Sequence, residues 1–255
     1  MLADLSYWAR KTDRRLRALL SLTRPRSKPL LTVVEPIVRI EYRAGSATDR
    51  LIIFLPGIGD LAEDFEHHGF VNALRRHHSA TDAIALDAHF GYYAARSILQ
   101  RLTDEVITSA HAAGYRELWL AGISMGGFGA ACYAARHAES VAGIVLLAPY
   151  LGDKTLTRDI QRAGGVRHWH PGHVENSDYA RHLWAWIKAR AERRPEKPDV
   201  PKIYLGYGSA DRFAPENRLL GETLPDDNVF VVQGGHDWRA WKRLWNLFLE
   251  RWPAG

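Results

Sequence analysis

Residues 118–127 read Leu-Trp-Leu-Ala-Gly-Ile-Ser-Met-Gly-Gly. A short apolar run leads into Gly122-Ile123-Ser124-Met125-Gly126, a G-x-S-x-G pattern, and a stretch of helical composition follows over 128–136. A strand that turns this sharply into a helix strains the backbone of the central serine and crowds its neighbours. Glycines two positions to either side relieve that crowding. The turn lifts the Ser124 hydroxyl above the sheet edge, and it aims the helix N-terminus and the Met125 N–H at a developing oxyanion. Ser124 is therefore the candidate nucleophile.

A serine hydroxyl needs a base, and the base needs an orienting acid. After a turn of this kind the expected chain order is serine, then Asp or Glu, then His. The apolar run 203–207 is followed by Gly208-Ser209-Ala210-Asp211, and the run 228–232 by Gln233-Gly234-Gly235-His236-Asp237-Trp238. His236 is the expected base and Asp211 its acid. Asp237 is the rival acid, but adjacent residues rarely pair through their own side chains, so a capping or salt-bridge role is expected for it. The second oxyanion donor is expected from the loop Leu55-Pro56-Gly57-Ile58-Gly59-Asp60, with the Ile58 N–H first and Gly59 second. His168, His170 and His173 lie close together without carboxylates at ligand spacing, so no metal is expected. His67, His68, His77 and His78 are expected on solvated helix faces.

Around this centre the chain alternates strand-like and helix-like stretches. Strands are expected over 38–42, 51–55, 83–87, 118–121, 143–147, 203–207 and 228–232, several as unbroken apolar runs suited to a sheet buried on both faces. Helices are expected over 65–78, 92–113, 128–136 and 238–252. The alternation predicts an α/β fold with a mostly parallel central sheet flanked by helices, whose functional groups collect at the strands' carboxyl ends. The core comprises 31–150 and 201–255, while 151–200, rich in Trp, His, Arg and Pro, is expected to form a helical cap or lid closed by a proline-bearing stretch.

The chain has 255 residues, 46% hydrophobic and 25% charged, which excludes wholesale disorder. Its one cysteine excludes an internal disulfide and suits a reducing, cytoplasmic setting. The net charge of +5 is local: residues 1–30 carry eight Lys/Arg and two acids, and the remainder carries 26 bases and 27 acids. A body that is nearly neutral argues against nucleic acid as partner. The arm 1–30 is too short in its apolar runs for a signal core or a membrane span. At helical spacing, Leu2, Leu5, Trp8, Leu16, Leu19, Leu20 and Leu22 form one stripe, with Arg10, Arg14 and Arg17 pointing away and Arg15 inside it. The expectation is that the stripe packs on the body and the arginines face solvent, with Pro25 and Pro29 ending the helix. The other disposition is a basic amphipathic helix on an anionic membrane, peripherally bound, or on an acidic carrier protein.

The elbow around Ser124, the acid loop around Asp211 and the late His236 together resemble the α/β-hydrolase superfamily over roughly 38–252. Gly235-His236-Asp237-Trp238 is also similar to the esterase D-like branch, whereas Pro56-Gly57 replaces the His-Gly that many members carry at the oxyanion loop. The resemblance implies a serine hydrolase that cleaves a carboxylic ester through an acyl-serine, with no nucleotide, flavin or metal cofactor. Tyr92, Tyr93, Trp169 and Trp184 are candidate walls of an acyl pocket under the cap. The substrate expected is a small-molecule acyl ester. A thioesterase or carrier-protein methyl esterase, and a membrane-associated binding protein on the same fold, are the competing readings.

Overall fold

The computed structural model describes residues 2–23, 31–192 and 201–253. Pro25, Pro29 and most of the stretch expected to close the insertion lie outside the described residues. The chain opens with α1 (Leu2–Thr23), then β1 (Arg39–Tyr42), β2 (Arg50–Leu55), α2 (Asp64–His67), α3 (Phe70–His77) and β3 (Asp82–Leu86). Next come α4 (Phe90–Ala94), α5 (Ile98–Arg101), a π-helical turn Leu102–Ile107, α6 (Thr108–Ala112), β4 (Glu117–Ile123), α7 (Met125–Arg136) and β5 (Gly143–Leu147). The insertion folds as α8 (Lys154–Arg162) and α9 (Tyr179–Ala191), and β6 (Lys202–Gly208), α10 (Ala214–Gly221), β7 (Val229–Val232) and α11 (Trp238–Arg251) complete the chain.

Every strand falls where the apolar runs placed it. The seven pair in the order β1-β3-β2-β4-β5-β6-β7, all parallel except the edge pair β1 with β3. β2, β3 and β5 are buried along their whole length, as a sheet covered on both faces requires. α7 packs on β4 and β5, and α11 packs on β5, β6, β7 and α3. Phe54, Phe65, Phe70, Trp245 and Phe248 form an aromatic cluster between β2, α2, α3 and α11. Two expected helices are broken. Gly69 in the left-handed region (φ 80°) separates α2 from α3, and Arg96 (φ 56°) separates α4 from α5.

α1 docks in the sense opposite to the expected one. Its polar face meets the body: Tyr7 and Lys11 are buried against Asp64, Arg14 grips Asp87 with two hydrogen bonds of 2.7 and 2.8 Å, and Arg10 pairs with Glu63 at 2.8 Å. Its apolar stripe faces outward, with Leu5, Trp8, Leu16, Leu19 and Leu22 between 49% and 64% exposed. Asp60, Asp64 and Asp87 all lie beyond the carboxyl ends of β2 and β3, where they make an anionic seat for the helix. Asp60 and Asp64 are buried, and leaving a buried carboxylate without its cation costs roughly 3–5 kcal/mol, so the polar face of α1 is the one drawn to this seat. No helix among the described residues is long and apolar enough to cross a membrane.

Candidate active site

The elbow is built as the pattern requires. Ser124 sits at φ 52°, ψ −111°, a strained conformation for a residue with a Cβ. A Cβ on Gly122 would lie 2.3 Å from the Gly126 carbonyl oxygen, and one on Gly126 would lie 2.1 Å from that of Leu55. Both neighbours are backbone, so neither position accepts a side chain. The Ser124 N–H donates to the Leu147 carbonyl at 2.9 Å, and its own carbonyl accepts from Phe128 and Tyr150 at 3.1 and 3.0 Å, which locks the turn to β5 and α7.

The two partner loops are fastened to each other. Gly208, the last residue of β6, approaches the carbonyl of Gly234 so closely that a Cβ there would lie 2.4 Å from the oxygen. The Ala210 N–H donates to that same carbonyl at 2.9 Å. This clasp sets Asp211 beside His236. His236 Nδ1 lies 2.8 Å from Asp211 Oδ2, and Nε2 lies 2.9 Å from Ser124 Oγ. The second Asp211 oxygen accepts from the Phe213 N–H at 2.8 Å, so this fully buried carboxylate is satisfied on both sides. Phe213 and Trp241 meet the imidazole edge-to-face at 5.1 and 5.0 Å and hold its plane. Asp237 turns away and caps α11, accepting from the N–H groups of Arg239 and Ala240 at 2.9 and 3.0 Å.

Opposite Ser124 runs the loop after β2. A Cβ on Gly57 would come 3.6 Å from Ser124 Cβ, and Ile58 lines the same cavity. Met125 is the first residue of α7. The turn is closed by the Asp60 N–H donating to Gly57 at 3.1 Å, and it leads into a network that belongs to α1. Asp60 receives Lys11 at 3.5 Å, Arg15 at 3.4 Å and the Trp238 indole N–H at 3.4 Å, while Asp64 accepts from the Leu61 N–H at 2.7 Å. Burial first, and the Asp64 charge second, hold the Asp60 carboxyl above its ordinary range, against the pull of Lys11 and Arg15.

A cavity of about 210 Å³ opens over Ser124 and His236, walled by Ile58, Trp241 and Arg212 from the core and by Arg15, Ala18 and Leu19 from α1. Gly59, in the left-handed region at φ 77°, lies so close to α1 that a Cβ would meet Arg15 Cγ at 2.7 Å. α1 therefore occupies the place over the site that the sequence reading gave to the insertion. Residues 151–192 supply none of the cavity wall, and α9 packs along α7 instead.

The four aromatic residues expected to wall the pocket lie elsewhere. The Tyr92 hydroxyl donates to the Val34 carbonyl at 2.8 Å, and Tyr93 packs partly buried against Gly129, lining a separate cavity of about 40 Å³. Trp169 packs beneath Arg181, and Trp184 is wholly buried with its indole N–H on the Leu151 carbonyl at 2.7 Å. Tyr92, Trp169 and Trp184 are core residues and Tyr93 packs partly buried against that core, the two tryptophans supplying the apolar centre of the insertion. Arg15, Ala18, Leu19, Arg212 and Trp241 were not foreseen as lining residues. The one signal for the first three was Arg15 breaking the apolar stripe of α1. No group of three or more metal-ligating side chains occurs among the described residues.

Comparison with known proteins gives a consistent picture. A sequence profile describing the alpha/beta hydrolase fold matches residues 50–240. The chain is 26% identical over 140 residues to an acetyl esterase of Caldicellulosiruptor saccharolyticus, a match covering 49% of this chain and 50% of that protein. The chain thus spans about half the length of the curated relative it matches. An S-formylglutathione hydrolase from Staphylococcus aureus superposes with a TM-score of 0.55 at 14% identity, covering 84% of this chain and 95% of the other. A fluorophosphonate-binding serine hydrolase from the same organism gives a TM-score of 0.56 at 15% identity, covering 85% and 98%. At such identities the structural likeness speaks for the fold.

Proposed function

The chain belongs to the alpha/beta hydrolase fold family, and from that premise we propose that it hydrolyses a small carboxylic ester through an acyl-serine on Ser124. The observation that carries the reading is a single imidazole, His236, bonded at once to Ser124 Oγ at 2.9 Å and to Asp211 at 2.8 Å. A binding protein has no need of that arrangement. The acetyl esterase relative points the same way.

In this mechanism Ser124 Oγ attacks the ester carbonyl carbon while His236 Nε2 takes its proton. The carbonyl oxygen becomes an oxyanion held by the N–H groups of Met125 and Ile58. Collapse breaks the C–O bond to the alcohol, which leaves with the proton from His236. His236 then takes a proton from water as the water attacks the acyl carbon, and collapse breaks the bond from that carbon to Ser124 Oγ, which takes the proton back from His236 as the acid leaves. Asp211 holds Nδ1–H throughout and stabilises the imidazolium. The cavity of about 210 Å³ lies below the roughly 300 Å³ at which drug-sized sites begin, which favours a short acyl group.

The test is a series of p-nitrophenyl esters from acetate to octanoate, with an acetyl thioester measured alongside. The wild type should turn over the short oxygen esters, and Ser124→Ala should lose at least about 10⁴-fold in kcat. Turnover surviving in Ser124→Ala, or a wild type inert to the whole series, would overturn the proposal. A clear preference for the thioester would move the assignment to the thioesterase alternative.

A further inference from the structure

Five of the eight large apolar side chains most exposed among the described residues lie on one helix: Leu5, Trp8, Leu16, Leu19 and Leu22 of α1. Folding does not explain this stripe, since α1 is fastened to the body through Tyr7, Lys11 and Arg14 on its other side. An unpaired apolar stripe of this length marks a surface meant to be covered. Two features identify what covers it. Leu19 belongs both to the stripe and to the wall of the cavity over Ser124. Two exposed cations flank it there: Arg15, shared only loosely with Asp60 at 3.4 Å, and Arg212, which lies over the Phe213 ring with no acidic partner among the described residues. The sequence carries no acid between Asp13 and Glu35.

We propose that α1 docks this protein on a lipid surface bearing anionic headgroups, with the stripe Leu5, Trp8, Leu16, Leu19 and Leu22 entering the interface and Arg15 and Arg212 meeting the headgroups. A second copy seated on the stripe would cover Leu19 and with it the mouth of the catalytic cavity. A lipid surface is fluid and leaves that mouth accessible to small apolar esters dissolved in it, an advantage that rests on the esterase reading of Ser124. An acidic carrier protein is the poorer fit, because Arg10, Lys11 and Arg14 are already engaged with Glu63, Asp64 and Asp87. The geometry is that of an amphipathic helix lying in the plane of the interface, its axis held by ion pairs to the enzyme behind it.

The experiment is flotation of the full chain with vesicles of phosphatidylcholine containing phosphatidylglycerol, against vesicles of phosphatidylcholine alone. The comparison variant carries Leu5→Gln, Trp8→Gln, Leu16→Gln and Leu22→Gln, all at exposed positions outside the catalytic cavity. The wild type should float with the anionic vesicles. The variant should bind them at least tenfold more weakly, while its melting temperature stays within a few degrees of wild type and its turnover of soluble p-nitrophenyl acetate within about twofold. Equal flotation of the two proteins, or a wild type that does not float, would overturn the proposal. So would a stripe-dependent dimer in light scattering without flotation, which would assign the stripe to a second copy. Equal binding to phosphatidylcholine alone would overturn the part given to Arg15 and Arg212. Loss of the esterase reading would show separately, as absent turnover in both proteins with flotation unaffected.

Discussion

Replacing Lys11 by Met removes the cation that sits between two buried carboxylates, Asp64 with its side chain 0% exposed and Asp60 at 5%. Among the described residues Arg15 is then the cation left to Asp60, at 3.4 Å and half in solvent. The least costly repair within the folded state is to protonate one carboxyl. Holding a proton on a group whose ordinary pKa is about 3.9 costs about 4 kcal/mol at pH 7 and about 1.5 kcal/mol at pH 5. The first figure lies within the roughly 3–5 kcal/mol seen when a buried pair loses one partner. The sign follows from Asp60, whose carboxyl already lies above its ordinary value through burial and through Asp64. A raised acid favours the fold below its ordinary pKa, and that contribution is lost as pH rises through the folded value. Removing Lys11 raises it further, so the penalty must grow with pH. At roughly 2–4 °C per kcal/mol for a chain of this size, Lys11→Met should melt about 8–16 °C below wild type at pH 7 and about 3–6 °C below it at pH 5. Scanning calorimetry at the two pH values reads this, and hydrogen exchange of the α1 amides shows whether the helix is released instead. An equal loss at both pH values would refute the reasoning. So would a loss under about 2 °C at pH 7 with α1 as protected as in wild type.

Gly126→Ala places a Cβ 2.1 Å from the Leu55 carbonyl oxygen. The clash should cost at least about 1–3 kcal/mol in denaturant unfolding and abolish ester turnover, because the strand end it displaces leads into the loop Gly57–Ile58 that faces Ser124. Asp211→Asn leaves His236 without an acceptor that fixes its tautomer, so kcat should fall by about 10⁴ with the melting temperature within a few degrees of wild type. Leu19→Ala widens the cavity on its α1 side, and the ratio of kcat/KM for hexanoate over acetate should rise by about tenfold or more, the scale of one apolar contact.

The reach of sequence reasoning in this chain follows the range of the interactions concerned. The strands were legible because each is a local apolar run, and the meeting of Ser124, Asp211 and His236 because each sits in a turn or loop directly after such a run. The clasp between Gly208 and Gly234 then needs only parallel neighbours, which β6 and β7 are. α1 was misread because hydrophobic periodicity assumes that the apolar face turns inward. Its true partners, Asp60, Asp64 and Asp87, lie 45 to 73 residues away in sequence. Their charges bear on α1 only once β2 and β3 have set them side by side. The substrate wall failed for a related reason. A cluster of aromatic residues such as Trp169 and Trp184 marks an apolar centre without saying whether that centre is a pocket or a core, and here it is the core of the insertion.

The central claim is that His236 and Asp211 make Ser124 a nucleophile. Its most direct test is labelling with a fluorophosphonate probe, followed by mass mapping of the modified peptide in wild type, Ser124→Ala and His236→Ala. The account predicts one adduct per chain, located on Ser124, and none in either variant. An adduct elsewhere, labelling that persists in Ser124→Ala, or a folded wild type that stays unlabelled would contradict it.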